Sequence, residues 1–241
     1  PSSPTSASAP PAFIQISSPG AGSKVVSPVR VSGDSGSTFE QNLVVVVYDS
    51  VGKQLALKPT TIQAEMGQRG AFSVELAFNV SKEQAGRIVV YDTSPAHGGI
   101  LHLASVEVTL RPAGGKAEVL TAKTAPDLIR VTRPLINAEV SGGKLLVEGM
   151  GGPLFENQFS LALCGAGGSG KADPVCGTAG NVIVRASAVV KAADAPKQGP
   201  FSIQLAYKVK ERTAAWLVVY DSSARDGGLI FVSALPLQLL P

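Results

Sequence analysis

Residues 89–99 read VVYDTSPAHGG, and residues 218–228 read VVYDSSARDGG. The two stretches are 129 residues apart, since Asp92 of the first corresponds to Asp221 of the second. Further upstream, residues 72–78 (FSVELAF) return at the same spacing as residues 201–207 (FSIQLAY). A repeat of this length predicts two copies of one domain rather than a solenoid of short units.

The two copies differ by an insertion. Residues 33–40 match residues 149–156 at a spacing of only 116, so copy two carries 13 additional residues between Phe159 and Phe201. We therefore predict one domain over residues 13–112 and a second over residues 128–241. Each is near 100 residues, a common size for a compact domain.

Two segments lie outside these domains. Residues 113–127 are mostly small and polar, which predicts a linker with at most a short strand. Residues 1–12 contain only Pro, Ser, Ala and Thr, so they offer no large apolar surface to bury and are predicted to be disordered. Such a spacer fits a position after a signal sequence or lipid anchor, and equally a boundary inside a longer protein.

Alternating apolar residues predict strands throughout both copies. Leu43 to Tyr48 is a continuous apolar run, and residues 72–78 alternate between apolar and polar side chains. An apparent register change near Ala104 and Ser105 predicts a β-bulge in the last strand of copy one. About seven short strands per 100 residues, with Gly and Pro turns between them, are typical of an immunoglobulin-like sandwich. The predicted fold class is all-β, with two tandem immunoglobulin-like β-sandwich domains.

Composition narrows the functional classes. Charged residues make up 16% and aromatic residues 5% of the chain, and no run of about 18 apolar residues is present, so no membrane-spanning segment is predicted. The net charge of +3 comes from copy two, where Lys208, Lys210 and Arg212 would share one face of an extended strand. That face is interpreted as a protected strand edge, or as a weak site for an anionic wall polymer. Without a basic cluster interleaved with aromatics, nucleic-acid binding is not expected.

Several short pieces occur in the same order in both copies and resemble the immunoglobulin-like domain of bacterial spore germination proteins. They are residues 26–33 (VSPVRVSG), Phe39-Glu40, Gly52, Phe72-Ser73 and the turn at residues 94–99 in copy one, with Gly149, Phe155-Glu156, Phe201-Ser202 and residues 223–228 in copy two. The resemblance implies a bacterial, non-cytoplasmic, non-catalytic accessory domain attached to a secreted or membrane-anchored protein.

The only two cysteines, Cys164 and Cys176, lie in the insertion of copy two. We predict that they form a disulfide that closes a short loop, which contributes about 3 kcal/mol in the chain-entropy model. A disulfide implies an oxidising location. The alternatives are weaker, because a redox pair usually has two residues between its cysteines and a zinc site needs four ligands.

Other residues with reactive side chains do not assemble into a site in the sequence. His97 and His102 have no activated nucleophile beside them, so no catalytic, metal or cofactor residue is assigned and no enzyme is predicted. Asp92 and Asp221 are interpreted as hydrogen-bond acceptors for their own turns. The phenylalanines of residues 39–40 and 155–156 are expected to plug the ends of the two cores, each followed by a Glu that accepts backbone hydrogen bonds.

The expected function is a non-catalytic structural or protein-interaction module of the bacterial cell envelope, extracytoplasmic and associated with sporulation or germination only through the family resemblance. Its expected partner is another envelope protein or domain, and its ligand-binding residues are left unassigned. The alternative is a module that binds cell-wall glycan or another polysaccharide. The only tryptophan, Trp216, separates the two readings, because a sugar-binding role needs it exposed and a domain interface needs it buried.

Overall fold

The structure, a computed structural model, describes residues 12–167, 172–178, 180–192 and 198–241. The expectation of a disordered N-terminal segment therefore falls outside the described residues, except at Ala12. Ala12 is buried, and its backbone N–H donates a 2.9 Å hydrogen bond to the carbonyl oxygen of Ala125.

Two sets of eight strands account for most of the described chain. The first set is β1 (Ile14–Ser18), β2 (Lys24–Val25), β3 (Val29–Ser35), β4 (Asn42–Tyr48), β5 (Gln54–Thr61), β6 (Gly70–Leu76), β7 (Gln84–Thr93) and β8 (Ile100–Leu110). The second set is β9 (Ile129–Arg133), β10 (Glu139–Val140), β11 (Lys144–Gly151), β12 (Gln158–Ala166), β13 (Gly180–Val189), β14 (Gly199–Ala206), β15 (Thr213–Ser222) and β16 (Leu229–Leu239). Short 3₁₀ turns precede β4 and β12.

The two sets have the same topology. In the first half, the sheet β1-β3-β6 faces the sheet β5-β4-β7-β8, and β2 runs parallel to β8. In the second half, β9-β11-β14 faces β13-β12-β15-β16, and β10 runs parallel to β16. The predicted all-β, immunoglobulin-like fold is confirmed, because each half buries alternate side chains of two facing sheets in its own core. The exact domain limits stay a prediction.

A third apolar cluster lies between the halves, on the outer faces of the larger sheets. It contains Val89 and Leu103 from the first half and Trp216, Val218 and Val232 from the second. These positions alternate with residues of the separate cores, because Ile88 and Val90 belong to the first core and Leu217 and Val219 to the second. The central strands are therefore buried on both faces, which explains their continuous apolar sequence.

The same arrangement corrects the predicted bulge in β8. Leu103 faces the third cluster, whereas Ala104, Val106 and Val108 face the first core, so the strand alternates without interruption at Ala104 and Ser105. The register shift in this hairpin lies at the end of β7, between Asp92 and Thr93. The predicted bulge was wrong because it rested on the assumption that only one face of β8 is buried.

The segment that follows β8 packs along the first half. Glu118 exchanges two backbone hydrogen bonds with Lys24, at 2.8 and 2.9 Å, and the N–H of Gly20 donates to Leu120 at 2.7 Å. A Cβ on Gly20 would lie 2.9 Å from the backbone nitrogen of Ala122. The segment is thus held in place by backbone contacts rather than crossing freely between the halves.

Two other expectations are wrong. Phe39 and Phe155 do not plug the cores, since they are 55% and 68% exposed. The two residues after each Phe have φ between 52° and 55°, where the chain turns and leaves the Phe exposed. The second of these residues is buried in the first half and only partly buried in the second. In the first half that residue is Gln41, whose side chain donates to three backbone carbonyls of residues 64–68. Lys208, Lys210 and Arg212 lie in the loop between β14 and β15, not in a strand, because the chain turns there to cross between sheets.

Candidate functional site: the cleft between the two halves

Strands β8 and β16 join the halves edge to edge. They pair antiparallel, with Ala104 opposite Phe231, Leu103 opposite Val232 and His102 opposite Ser233. Leu103 and Val232 are equivalent positions of the repeat, 129 residues apart. An antiparallel pairing centred on two equivalent residues has a local two-fold axis between them, as in an isologous dimer.

Each half also extends a turn onto the other. The imidazole of His97, in the turn after β7, stacks on Trp216 with the ring centroids 3.7 Å apart and the planes at 12°. The equivalent residue of the second half, Asp226, accepts hydrogen bonds from both terminal nitrogens of Arg87, at 3.0 and 3.1 Å. Arg87 is in turn the equivalent of Trp216, because both pairs of positions differ by 129 residues. The two turns therefore make the same contact with different chemistry.

Trp216 is thus part of the interface. It is only 7% exposed and belongs to the cluster between the halves. This burial removes the exposed indole that the polysaccharide-binding alternative needed. Arg87 is 1% exposed, so its guanidinium also lies in the interface and away from water.

Cys164 and Cys176 form a disulfide in the structure. Cys164 lies in β12 opposite Trp216, and the bond holds residues 172–178, here called the strap, beside the first half. The backbone N–H of Thr178 donates a 2.9 Å hydrogen bond to the carbonyl oxygen of His97. A Cβ on Gly177 would lie 2.0 Å from that same oxygen, so only glycine allows this approach.

A cleft of about 750 Å³ lies where the halves, the strap and the second turn meet. Three of the four tyrosines of the chain line it, namely Tyr48, Tyr91 and Tyr220. All three are partly buried against the third cluster, and Val89 and Leu103 contribute apolar wall between them. The volume is within the range of about 300–1,000 Å³ that is common for binding sites in proteins.

The charged groups of the cleft form pairs. Arg87 binds Asp226, and Arg185 forms an ion pair with Asp173 of the strap and donates a 2.8 Å hydrogen bond to the Tyr220 hydroxyl. Burial raises the pKa of the Asp226 carboxyl, but hydrogen bonds from the Gly228 N–H and from Arg87 outweigh it and hold the pKa below its usual range.

The Asp173 carboxyl is governed in the same way. Burial raises its pKa, and the N–H groups of Cys176 and Val175 together with Arg185 lower it below the usual range. The pKa values of the phenols of Tyr48 and Tyr91 are raised, chiefly by burial. At neutral pH both carboxylates are therefore ionised and both phenols are protonated hydrogen-bond donors.

The two histidines contact different partners. His97 lies on Trp216, and burial lowers the pKa of its imidazole. The Nδ1 of His102 lies 3.0 Å from Asp92 Oδ1, and the His102 ring stacks on Phe13. The sequence suggested that Asp92 accepts hydrogen bonds from its own turn. In the structure it accepts instead from the His102 N–H, across the hairpin. Asp221 accepts from the neighbouring Ser222 N–H.

Other classes of site find little support in the part of the chain that the structure describes. Within it, no group of three or more His, Cys, Asp or Glu side chains lies close enough to hold a metal ion. Among the same residues, no helix has the length and apolar character needed to cross a membrane.

Sequence reasoning missed the lining of the cleft. Tyr91 and Tyr220 stand at the same place in the quoted repeat, which was a usable signal, because exposed aromatics kept in both copies point to a shared role. Tyr48, Arg87 and Arg185 carried no such signal. Their place in a common cleft depends on how the two halves pack.

Comparison with known proteins agrees with the fold of the first half. Residues 13–99 match the family described as the immunoglobulin-like domain of bacterial spore germination. That match does not extend to the second half. No curated protein matches the chain.

Three solved structures are similar in outline. The chain has 13% identity and a TM-score of 0.29 to red sea bream transglutaminase, with 95% of this chain covering 31% of that one. It has 11% identity and a TM-score of 0.21 to the titin domains z1z2 in complex with telethonin, covering 97% and 98% of the two chains. It has 12% identity and a TM-score of 0.27 to the Salmonella enterica SafA pilin with the SafB chaperone, covering 94% and 96%. The chain thus spans about a third of the transglutaminase, and these low scores carry no functional argument.

Proposed function

We propose that this chain is a non-catalytic protein-interaction module and that the cleft between its halves is the binding surface. The first part of the proposal is supported by residues 13–99, which match the family described as the immunoglobulin-like domain of bacterial spore germination. The observation that carries the proposal is the cleft itself, where three partly exposed tyrosines from both halves converge. Tyrosine is favoured at protein interfaces, because it offers a large apolar ring and one hydroxyl at a low cost in side-chain entropy.

The junction supports this role because it preorganises the surface. Strand pairing, two reciprocal turns and the disulfide strap hold the two walls of the cleft against each other. A preorganised surface loses little conformational entropy when a partner binds, so more of the contact energy appears as affinity.

We further propose that the protein is exported and works in the bacterial cell envelope. The Cys164–Cys176 disulfide supports this location, since such bonds persist in oxidising compartments. The narrower form of the proposal, a role in sporulation or germination, rests on the family description alone. Labelling with a thiol reagent in intact cells tests the location. We expect Cys164 and Cys176 to react only after a reductant has been added, and full labelling of both cysteines without a reductant would contradict the proposal.

Site-specific cross-linking in cells tests the binding surface. A photoreactive phenylalanine derivative is placed at Tyr91 or at Tyr220, with Phe155 as the matched control because it is an exposed aromatic residue outside the cleft. We expect the same protein adduct from both cleft positions and not from position 155. Adducts that form only at the control position, or at none, would reject the cleft as the interaction surface.

The alternative function, polysaccharide binding, needed an exposed Trp216 as the sugar-binding surface, and Trp216 is buried. Co-sedimentation of the chain with insoluble cell wall, at low and at raised salt, measures what remains of it. Salt-resistant sedimentation would favour a glycan over a protein partner.

A further inference from the structure

We infer that the cleft takes an uncharged, proline-rich segment of polypeptide in the polyproline II conformation. This inference rests on the proposed function and deepens it, because it names the chemistry of the partner at the same site. Three features of the cleft carry it: its charge, its aromatic surface and its free hydrogen-bond donors.

The charged groups of the cleft favour an uncharged ligand. Its two arginines, Arg87 and Arg185, are paired with its two carboxylates, Asp226 and Asp173. Arg87 and Asp226 are also nearly inaccessible, with side chains 2% and 1% exposed. A ligand carboxylate could reach Arg87 only by displacing Asp226, which would leave a nearly inaccessible charge uncompensated. The Arg185–Asp173 pair is more exposed, and its two charges offset each other. An uncharged ligand leaves both pairs intact.

The apolar surface of the cleft is aromatic and comes from both sides. Tyr48 and Tyr91 line the wall of the first half and Tyr220 that of the second. Arg87 lies over the Tyr48 ring, with its Cζ atom 5.8 Å from the ring centroid, and so fixes that ring from behind. Proline-rich segments dock in grooves that are lined by aromatic side chains, and this cleft carries such side chains on both walls.

The free hydrogen-bonding groups of the cleft include phenol hydroxyls, each of which can donate one proton. Within the described residues, the hydroxyls of Tyr48 and Tyr91 have no hydrogen-bond partner, whereas the Tyr220 hydroxyl accepts from Arg185 and keeps its own proton available. A polyproline II segment has no internal hydrogen bonds, and its proline residues offer carbonyl oxygens but no N–H. Phenol donors and proline acceptors are therefore complementary. A neutral sugar can also bond to the phenols, because a hydroxyl accepts as well as donates, and the test therefore includes one.

A peptide titration on the full chain tests the inference. The probe is a blocked, uncharged nine-residue peptide of the sequence PPSPPSPPS, observed through the backbone amide signals of the ¹⁵N-labelled protein. We expect saturable shifts at cleft residues such as Val89, Gly98 and Leu229. A peptide with every proline replaced by alanine should bind about tenfold more weakly, because it must lose more conformational entropy to become extended.

Variants separate the ring from the hydroxyl. Y91A/Y220A should abolish the shifts, and Y91F/Y220F should weaken binding by about tenfold, since each lost hydrogen bond costs about 0.5–1.5 kcal/mol. F155A is the control for an aromatic residue outside the cleft and should bind like the original chain. The amide spectra of all variants show whether the fold is kept.

Several outcomes would overturn the inference. Equal binding of the alanine peptide, stronger binding of a version with two Glu or two Lys, or shifts outside the cleft would each do so. Shifts at the same residues with cellohexaose in place of the peptide would assign the cleft to a neutral glycan. If the peptide fails but cross-linking from Tyr91 and Tyr220 succeeds, only the ligand chemistry is wrong; if both fail, the proposed function falls as well.

Discussion

Arg87 and Trp216 occupy equivalent positions in the two halves, and each contacts a turn of the other half. Arg87 bonds to Asp226, and Trp216 stacks on His97. A self-pairing of the first half would bring Arg87 against His97, and a self-pairing of the second would bring Trp216 against Asp226. Neither combination reproduces the ion pair or the ring stack that the structure shows. Two side chains on each side thus favour the pairing of unlike halves, in the way that specific interfaces combine attraction with mismatch against alternatives.

The Arg87–Asp226 pair gives a prediction at this scale. D226N should lower the free energy of unfolding by about 3–5 kcal/mol, because the buried guanidinium of Arg87 loses the carboxylate that bonds both its terminal nitrogens and keeps only the more distant Glu107, at 3.6 Å. Urea denaturation measures the change. The matched control is D34N, whose carboxylate pairs with Arg69 at an exposed site and should cost less than about 1 kcal/mol. Equal costs for the two variants would show that Arg87 finds another partner, such as Glu107.

Strand β8 shows how one element carries two roles. Its early part pairs with β16 at residues 102–104, and its last residues pair with β2 at Thr109 and Leu110. Both parts of the strand edge are therefore occupied, which prevents uncontrolled pairing with other chains. The strap is the second such element, since it is tied to β12 by the disulfide and to the first half by its backbone.

The strap makes a prediction through Gly177. G177A should release the strap, because the new Cβ would lie 2.0 Å from the carbonyl oxygen of His97. Gly142 is the matched control, since its φ of +76° resembles the +78° of Gly177 but nothing lies within 4 Å of its Cβ position. G142A should show only the cost of the backbone conformation, about 1 kcal/mol.

Hydrogen exchange of the Thr178 amide is the measurement, because that N–H bonds to His97. We expect exchange at least about tenfold faster in G177A than in G142A, which corresponds to 1.4 kcal/mol of lost protection. Equal rates would mean that the strap is held by the disulfide alone.

At the scale of the whole molecule, two sandwiches with separate cores are joined by a third cluster on a local two-fold axis. Leu103 and Val232 lie on that axis and are 4% and 1% exposed. The halves therefore share a buried apolar contact, and the cleft exists only while they stay together. An interface of this kind limits the relative motion that tandem domains usually have.

This coupling predicts the unfolding behaviour of the chain. Calorimetry should show one thermal transition, and L103D should split it into two, because the charge disrupts the third cluster while both separate cores stay apolar. L103V is the control, since valine already occupies the equivalent position 232. Two transitions in the unmodified chain would show that the halves unfold independently.

The amino-acid sequence alone predicts that a domain-length pattern occurs twice, where many of the strands run and which residues close the turns. These features are local, because apolar alternation and Gly, Pro or Asp turns act over a few neighbouring residues. It also singled out the two cysteines that the structure joins.

The contacts of the outer sheet faces depend on how the two halves pack, which the local sequence does not encode. Trp216 and Leu103 are apolar residues on sheet faces, and such residues look alike in sequence whether solvent, a partner or another domain covers them. Phe39 and Phe155 are exposed rather than buried because the two residues after each of them have positive φ angles, which residues other than glycine seldom adopt. The cleft depends on the interface in the same way, because Tyr48 and Tyr91 lie in the first half and Tyr220 lies in the second. Contacts such as Leu103 opposite Val232 join residues 129 positions apart, and no local pattern encodes a contact of that kind.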